Sequence, residues 1–198
     1  MFRDLLRQRL PEVPAGKIAL LEAHYELLLK WNKVLNLTSI KDLEATVERH
    51  YCESIFLGLS LPPNPVSIAD IGSGAGFPGI PVAVLRPDCT VTLIESHQRK
   101  AVFLREASRK LANVQVLSKR ADEVTARFDV AVSRAVSYRD LEQSLHQLAS
   151  IAILLSGEES PPDSLGFVWS AAIALPWGSH RFLRAGHVSR ETSKPNCV

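Results

Sequence analysis

Three glycines at alternate positions, with a carboxylate shortly before them, form the segment with the clearest potential for ligand chemistry. The segment at residues 70–79 reads Asp-Ile-Gly-Ser-Gly-Ala-Gly-Phe-Pro-Gly, and its first three glycines are Gly72, Gly74 and Gly76. Glycines at this spacing allow a tight turn from a strand into a helix, and they let a ligand approach bare backbone amides. Residues 74–79 also match the G-x-G-x-x-G pattern of dinucleotide-binding loops, which is a weak indication when it stands alone.

Two carboxylates indicate which ligand the loop would take. Glu95 ends the next apolar run, where it can accept hydrogen bonds from ribose hydroxyls. Asp70 lies at the mouth of the loop, where a carboxylate repels a pyrophosphate and attracts the sulfonium and ammonium groups of S-adenosylmethionine. The same residue can instead be a helix N-terminal acid or a buried hydrogen-bond acceptor. Taken together, the glycines and both acids favour S-adenosylmethionine over NAD as the cofactor.

The elements that position this loop follow from the spacing of apolar residues. In the first 60 residues apolar side chains recur at helical steps, as at Ile18, Leu21, Tyr25 and Leu28, and this pattern predicts helices. The run Leu-Pro-Pro-Asn-Pro at 61–65 ends the pattern, because proline removes amide donors and restricts its neighbours. We therefore expect an N-terminal helical subdomain at 1–61 and a cofactor-binding domain at 62–198.

Beyond residue 65 the pattern alternates between strands and helices. Apolar runs predict strands at 66–71, 91–94, 114–117, 128–133 and 149–155, with the first intervening helix at 78–86. Alternation of this kind predicts an α/β fold with a mostly parallel sheet and right-handed crossovers. Residues 165–175 and 181–185 are expected to form a closing antiparallel hairpin.

Composition and charge exclude several classes of protein. The chain has 198 residues, 46% hydrophobic and 22% charged, with a net charge of +2, which is ordinary for a folded globular protein. Its three cysteines are widely separated, which argues against a disulfide framework or a zinc site. No signal peptide or membrane span is evident, so we expect a cytoplasmic protein. Between residues 96 and 120 seven basic residues stand against Glu106 alone, which can be a phosphate-binding patch or simply a solvated face.

Several motifs in the same order resemble those of one bacterial enzyme family. Besides the glycine segment, they are Trp-Asn-Lys-Val-Leu-Asn-Leu-Thr at 31–38, Arg-His at 49–50, Leu-Ile-Glu-Ser at 93–96, Arg-Ala-Asp at 120–122 and Ser-Arg-Ala at 133–135. Together they cover roughly residues 25–140. The chain resembles the small-subunit 16S rRNA methyltransferase G family, the glucose-inhibited division protein B group.

The resemblance implies a Rossmann-like class I S-adenosylmethionine-dependent methyltransferase fold and methylation of guanine N7 in 16S rRNA. The partner it implies is the small ribosomal subunit, with no metal and no membrane, and we expect a monomer. It assigns cofactor contacts to Gly72 and Phe77 in the loop and to Ala121, Asp122 and Arg134 further along the chain. It also places Asn36 and His50 on the RNA side of the cofactor mouth. Structural roles without a ligand remain alternatives for three of these residues: a helix N-cap for Asp122, a surface salt bridge for Arg134 and a half-buried histidine for His50.

The chemistry implied by the resemblance requires no general base, because guanine N7 carries a lone pair and no proton. The sequence agrees, since it lacks the Asn-Pro-Pro-Tyr motif of amine methylases and the Pro-Cys pair of cytosine methylases. No catalytic residue is assigned. The chain departs from the family after about residue 150, where Ser156 precedes Gly157 in place of lysine. Alternatives are a methyltransferase for another substrate, a non-catalytic RNA- or nucleotide-binding relative, and, more distantly, an NAD-dependent oxidoreductase.

Overall fold

The N-terminal third of the chain is helical, as the apolar spacing predicts. The structure, a computed structural model, describes residues 1–188. Its first helices are α1 (Phe2–Arg9), α2 (Ala15–Leu35), α3 (Leu43–Thr46) and α4 (Glu53–Leu59). A π-helical segment at Val47–Cys52 joins α3 to α4 without a break. The loop at 36–42 follows Asn36, which ends α2 in the left-handed region at φ +47°.

Strands and helices alternate from residue 67 onward. The strands are β1 (Ser67–Ile71), β2 (Thr90–Ile94), β3 (Val114–Leu117), β4 (Phe128–Arg134), β5 (Ala149–Ser156), β6 (Phe167–Trp169), β7 (Ile173–Ala174) and β8 (Phe182–Val188). The helices are α5 (Gly79–Leu85), α6 (Gln98–Ala107), α7 (Tyr138–Glu142) and α8 (Leu145–Leu148). Each of the five strands expected in the parallel part lies within one residue of its predicted bounds.

One sheet carries all the strands of residues 1–188. Its order is β3-β2-β1-β4-β5-β8-β6, with β7 also paired to β8. Strands β1 to β5 are parallel, whereas β8 runs antiparallel to β5, β6 and β7. The predicted α/β fold with its closing antiparallel hairpin is confirmed. The first arm of the hairpin differs in being split into the short strands β6 and β7.

Each face of the sheet is covered by helices. On one face α1, α2 and α4 share a hydrophobic cluster with β1, α5 and α6, through residues such as Leu6, Ile18, Ile68, Ile80 and Phe103. On the other face α7 and α8 form a second cluster with β4 and β5. The parallel strands are therefore buried on both sides, which explains their nearly continuous apolar runs.

Neither the described cysteines nor the hydropathy of the described helices indicates a further structural feature. Cys52 and Cys89 are buried free thiols, and Cys197 lies outside the described residues. Within residues 1–188 no helix is long and apolar enough to cross a bilayer. The last ten residues of the expected cofactor-binding domain also lie outside the described part of the chain.

Candidate functional site

The glycine loop turns the chain at the carboxyl end of β1, the edge of an open α/β sheet where ligands bind. Gly72, Gly74 and Gly76 adopt φ values of +70°, +54° and +87°, a region that side chains with Cβ rarely occupy. A Cβ on Gly72 would stand 2.6 Å from Cγ2 of Val136, so this position has no room for a larger residue. The loop is therefore a bare backbone surface fixed by its neighbours.

Glu95 holds this loop in place from the end of β2. Its two carboxylate oxygens accept hydrogen bonds from the amides of Gly74 (2.9 Å) and His97 (2.8 Å). The side chain is nearly buried. Each carboxylate oxygen has two acceptor sites, so Glu95 retains acceptor capacity for a ligand hydroxyl after bonding these amides.

Asp70 lies fully buried beneath the loop rather than at its open mouth. Its Oδ2 accepts a hydrogen bond from the Gly79 amide at 3.0 Å, in the first turn of α5. Its Oδ1 has no hydrogen-bond partner in the structure. Burial raises the pKa of this carboxyl group to about 7, so it carries only part of its charge at neutral pH. The buried-acceptor role that the sequence left open is thus present.

A cleft of about 310 Å³ opens beside the loop. The ends of β1 and β2 contribute Ile71, Gly72, Ile94 and Ser96 to its walls, and the other side is formed by residues including Ala121, Asp122 and Val136. Of the expected cofactor contacts, this cleft brings together Gly72, Ala121 and Asp122. The others do not line it: Asp70, Gly74, Gly76, Phe77, Glu95 and Arg134. Asp122 lies inside a short 3₁₀ turn that begins after Arg120, so it is not the N-cap of that turn. It pairs instead with Arg120, whose Nε lies 3.1 Å from Oδ1.

His50 and Phe77 form a stacked pair behind the loop. The ring centroids lie 4.5 Å apart with an interplanar angle of 13°. Arg134 Nη1 donates a hydrogen bond to Nδ1 of His50, and Nε2 lies 2.8 Å from Oγ1 of Thr38. Burial and, next, the charge of Arg134 lower the pKa of His50 to about 2, so the ring is neutral. Because Nδ1 accepts, Nε2 carries the proton and donates to Thr38.

The structure corrects the expectation for His50. The residue is 6% exposed and both ring nitrogens are engaged within the protein, so it has no free nitrogen for direct contact with RNA. It links the loop after α2 to the end of β4. Asn36, by contrast, is exposed, as expected of a residue on an RNA-binding side.

Arg134 is buried at the end of β4, not engaged in a surface salt bridge. Its Nε lies 3.8 Å from Oε2 of Glu53 and has no hydrogen-bond partner. The guanidinium carbon lies 5.8 Å from the centroid of Phe77. Burial lowers the pKa of Arg134 to about 10, which still leaves the group charged. The cation is held close to the glycine loop by its neighbours on α4 and β4.

Glu53 is a member of this site that the sequence reasoning missed. It is fully buried, and it accepts hydrogen bonds from Nε (3.0 Å) and Nη2 (2.5 Å) of Arg181, just before β8. One carboxylate therefore faces two guanidinium groups, those of Arg134 and Arg181. Only its position three residues after His50 could have drawn attention to it.

The donor set of this edge suits an adenosine conjugate with a charged amino-acid end, and no metal. The loop offers backbone without side chains, Glu95 offers acceptor capacity, and Asp70 Oδ1 and Arg134 Nε are buried polar atoms without partners. An acceptor and a donor without partners, at the ends of the neighbouring strands β1 and β4, fit an ammonium and a carboxylate. Among residues 1–188 no group of three or more His, Cys, Asp or Glu side chains could hold a metal ion.

Comparison with protein families gives a match over most of the chain. The profile of a family described as rRNA small subunit methyltransferase G matches residues 17–155. The match ends just before Ser156, where the chain departs from the family's lysine.

Curated relatives carry the name ribosomal RNA small subunit methyltransferase G. One from Methylobacillus flagellatus is 39% identical over 170 residues, 82% of both chains. One from Dichelobacter nodosus is 48% identical over 119 residues, 58% of this chain and 56% of the relative. One from Nitrosomonas europaea is 41% identical over 141 residues, 69% of this chain and 62% of the relative. The latter two are thus matched over less than two thirds of their length.

Solved structures with the same fold are methyltransferases of distant sequence. Magnesium protoporphyrin IX methyltransferase from Synechocystis, solved with bound S-adenosylmethionine, superposes with a TM-score of 0.61 at 11% identity, over 84% of this chain and 97% of that one. A SAM-dependent methyltransferase from Aquifex aeolicus gives a TM-score of 0.56 at 14% identity, over 73% of this chain and 93% of that one. These similarities establish the fold, which is the Rossmann-like class I methyltransferase fold.

Proposed function

This chain belongs to the rRNA small subunit methyltransferase G family, and from that premise we propose that it methylates N7 of a guanine in 16S rRNA. The methyl donor is S-adenosylmethionine, and the substrate is the RNA of the small ribosomal subunit in the cytoplasm, with the protein acting as a monomer. The observation that carries the proposal is the side-chain-free glycine loop, which borders a cleft at the carboxyl ends of parallel strands.

The residues that hold the cofactor in this proposal surround the loop on three sides. The backbone of Gly72, Gly74 and Gly76 forms the cradle, and Glu95 accepts from the ribose hydroxyls. Ala121 and Asp122 line the adenine end of the cleft. At the other end Arg134, with Phe77 beside it, meets the carboxylate, and the charge of Asp70 beneath the loop favours the ammonium. Bound there, S-adenosylmethionine supplies an electrophilic methyl group.

Guanine N7 has a lone pair and no proton, so no side chain of this protein has to act as a general base. The protein contributes by holding donor and acceptor in line, and such positioning accounts for up to ~7–11 kcal/mol of a barrier in favourable cases. Arg134 and Phe77 contribute to this positioning because they are themselves fixed in place. Arg134 contacts His50 and Glu53, and Phe77 stacks on His50.

Transfer of a tritiated methyl group tests the proposal. The protein is incubated with labelled S-adenosylmethionine and with small ribosomal subunits that lack the modification, and the RNA is digested to nucleosides. We expect label in 7-methylguanosine. Label in another nucleoside would indicate a methyltransferase of different specificity, and cofactor binding without label would indicate a non-catalytic relative.

Two glycine variants test the role of the loop in the same assay. Gly72→Ala adds a Cβ that collides with Val136, whereas Gly74→Ala meets only the Gly72 carbonyl oxygen at 3.7 Å. Both residues have positive φ, so both variants carry similar backbone strain. We expect Gly72→Ala to lower cofactor affinity by about tenfold or more relative to Gly74→Ala, a difference of ~1.4 kcal/mol in calorimetry. Affinities equal to that of wild type in both variants would remove the cradle from the proposal.

A further inference from the structure

A second cavity, larger than the cofactor cleft, lies on the N-terminal helices. Its volume is about 760 Å³, within the ~300–1,000 Å³ range of ligand pockets. The second half of α2 forms one wall and the loop at 36–41 forms the other, with contributions from Tyr25, Leu29, Lys33, Asn36, Thr38 and Lys41. We call this cavity the α2 groove.

The charged side chains of the α2 groove are both basic. Lys33 and Lys41 are exposed and line it, and no carboxylate belongs to its walls. Within residues 1–188 neither lysine forms an ion pair or a side-chain hydrogen bond. The nearest acid in sequence, Asp42, is engaged as the N-cap of α3, where it accepts from the Ala45 amide at 2.8 Å. The groove therefore presents two cations that form no ion pair, and the charge of Asp42, which acts on Tyr25, is the acidic charge beside it.

The remaining walls offer apolar and amide surface. Leu29 is 45% exposed although it is a large apolar side chain. The ring of Tyr25 is fixed in place by stacking on Phe2, with centroids 4.8 Å apart. Asn36 presents an exposed side chain from a backbone held at positive φ. Single-stranded nucleic acids bind to surfaces of this kind, which combine a basic rim for phosphates with apolar and aromatic groups for bases.

One wall of the α2 groove is connected directly to the cofactor site. Asn32 binds both backbone groups of Thr38, donating to its carbonyl and accepting from its amide at 2.9 Å each. Thr38 in turn accepts from His50, which contacts Phe77 and Arg134. Thr38, His50 and Phe77 thus link the wall of the groove to the glycine loop.

We propose that the α2 groove binds an unpaired segment of the RNA substrate, with Lys33 and Lys41 on its phosphates and Tyr25, Leu29 and Asn36 on its bases. The inference rests on the proposed function, since it takes RNA as the substrate. It adds a binding surface separate from the cofactor cleft.

Binding of RNA at increasing salt tests the proposal with charge-matched variants. The double variant Lys33→Ala/Lys41→Ala removes both cations of the groove. The control Lys30→Ala/Lys110→Ala removes two cations from the cavity between α2 and α6, on another side of α2. Affinity for unmodified small subunits and for a short single-stranded RNA is measured for each, with cofactor affinity and thermal midpoint alongside.

We expect the groove variant to bind both RNAs about tenfold more weakly, since one exposed ionic contact contributes about threefold. The dependence of log K on log salt should become shallower by ~1.4, which is ~0.7 for each phosphate contact to a single strand. Cofactor affinity should be unchanged.

Three results would overturn the inference. The first is RNA binding by the groove variant equal to wild type, with or without a lowered thermal midpoint, since Lys33 would then only complement the C-terminal dipole of α2. The second is equal loss in both double variants, which would reflect net charge alone. The third is a competition measurement in which a protein segment, and not RNA, occupies the groove. Failure of the proposed function would show differently, as absent methyl transfer with RNA binding still dependent on the two lysines.

Discussion

At the scale of single residues, the buried carboxyl group of Asp70 combines two roles that the sequence presents as alternatives. One oxygen is bonded to the first turn of α5, and the other has no partner. Its pKa near 7 means that the free protein holds this group partly protonated at neutral pH. A cationic ligand beside it would favour the ionised form, so binding of such a ligand and loss of the proton are coupled.

Replacement of Asp70 by Asn should change how stability depends on pH. The pKa of Asp70 in the folded state, about 7, exceeds the ordinary aspartate pKa of 3.8, so the unfolded chain loses this proton first as pH rises. Between about pH 4 and 7 the titration of Asp70 therefore lowers the wild-type free energy of unfolding as pH rises, and above pH 7 this loss is complete. Asn does not titrate, so Asp70→Asn should gain on the order of 4 kcal/mol relative to wild type across this window. Urea unfolding at a series of pH values measures the difference.

The control for this experiment is Asp129→Asn. Hydrogen bonds from the Ser67 amide and hydroxyl lower the pKa of the exposed Asp129, so its contribution is lost as pH falls through its folded-state pKa. The control should therefore be less stable than wild type at neutral pH, the opposite sign to Asp70→Asn, and this difference should shrink toward the acidic end. Parallel curves for Asp70→Asn and wild type would contradict the assignment of a raised pKa.

At the scale of elements, Glu53 ties three parts of the fold together. It lies on α4, while Arg134 ends β4 and Arg181 precedes β8. Arg181 is 128 residues away in the chain, so the ion pair fixes the closing hairpin against the N-terminal helices. Since Arg134 also binds His50, the helix, the hairpin and the strand end share one charged cluster.

Loss of the Glu53 charge should be costly. Glu53→Gln leaves a mostly buried guanidinium group, that of Arg134, and a partly buried one, that of Arg181, without their counter-ion. Breaking a buried pair in this way typically costs ~3–5 kcal/mol. The matched control is Glu44→Gln, which removes an exposed partner of Arg9 and should cost no more than ~1 kcal/mol. Urea unfolding compares the two variants. Similar small losses in both would mean that the cluster contributes little to the stability of the fold.

At the scale of the whole molecule, the N-terminal helices and the sheet share a hydrophobic core. Residues of α1, α2 and α4 belong to the same buried cluster as residues of β1, α5 and α6. The boundary at residue 61 remains a prediction about chain organisation. The shared core implies that the segments before and after residue 61 depend on each other for burial of their apolar faces.

Tryptophan fluorescence tests this dependence. Trp31 on α2 packs against Phe103 of α6, whereas Trp169 on β6 packs against Phe167 in the cluster on the other face of the sheet. Two variants, each retaining one of these tryptophans with Phe at the other tryptophan positions, are unfolded in urea. We expect coincident midpoints, because one cooperative core loses both environments together. A separate earlier transition at Trp31 would show that residues 1–61 unfold as an independent unit.

The sequence by itself determined the alternation of elements and the place of the glycine loop. Periodicities of two and of three to four residues are local properties, and a glycine cluster between a strand and a helix needs no distant partner to be recognised. The mostly parallel orientation of β1 to β5 followed as well, because strands connected through helices run parallel, whereas their order came from the structure. The positions of Glu95 and of the 120–122 motif at one edge are a consequence of that orientation.

Only the tertiary structure decided how deeply each charged group is buried and what faces it. His50 and Arg134 are 84 residues apart. No local pattern shows that the guanidinium group of Arg134 would donate to the His50 ring and keep that ring unprotonated. The same holds for the buried Glu53 and for the raised pKa of Asp70. Protonation and hydrogen bonding depend on solvent exclusion and on the charges nearby, and both are properties of the packed chain, since contacts across the fold create them.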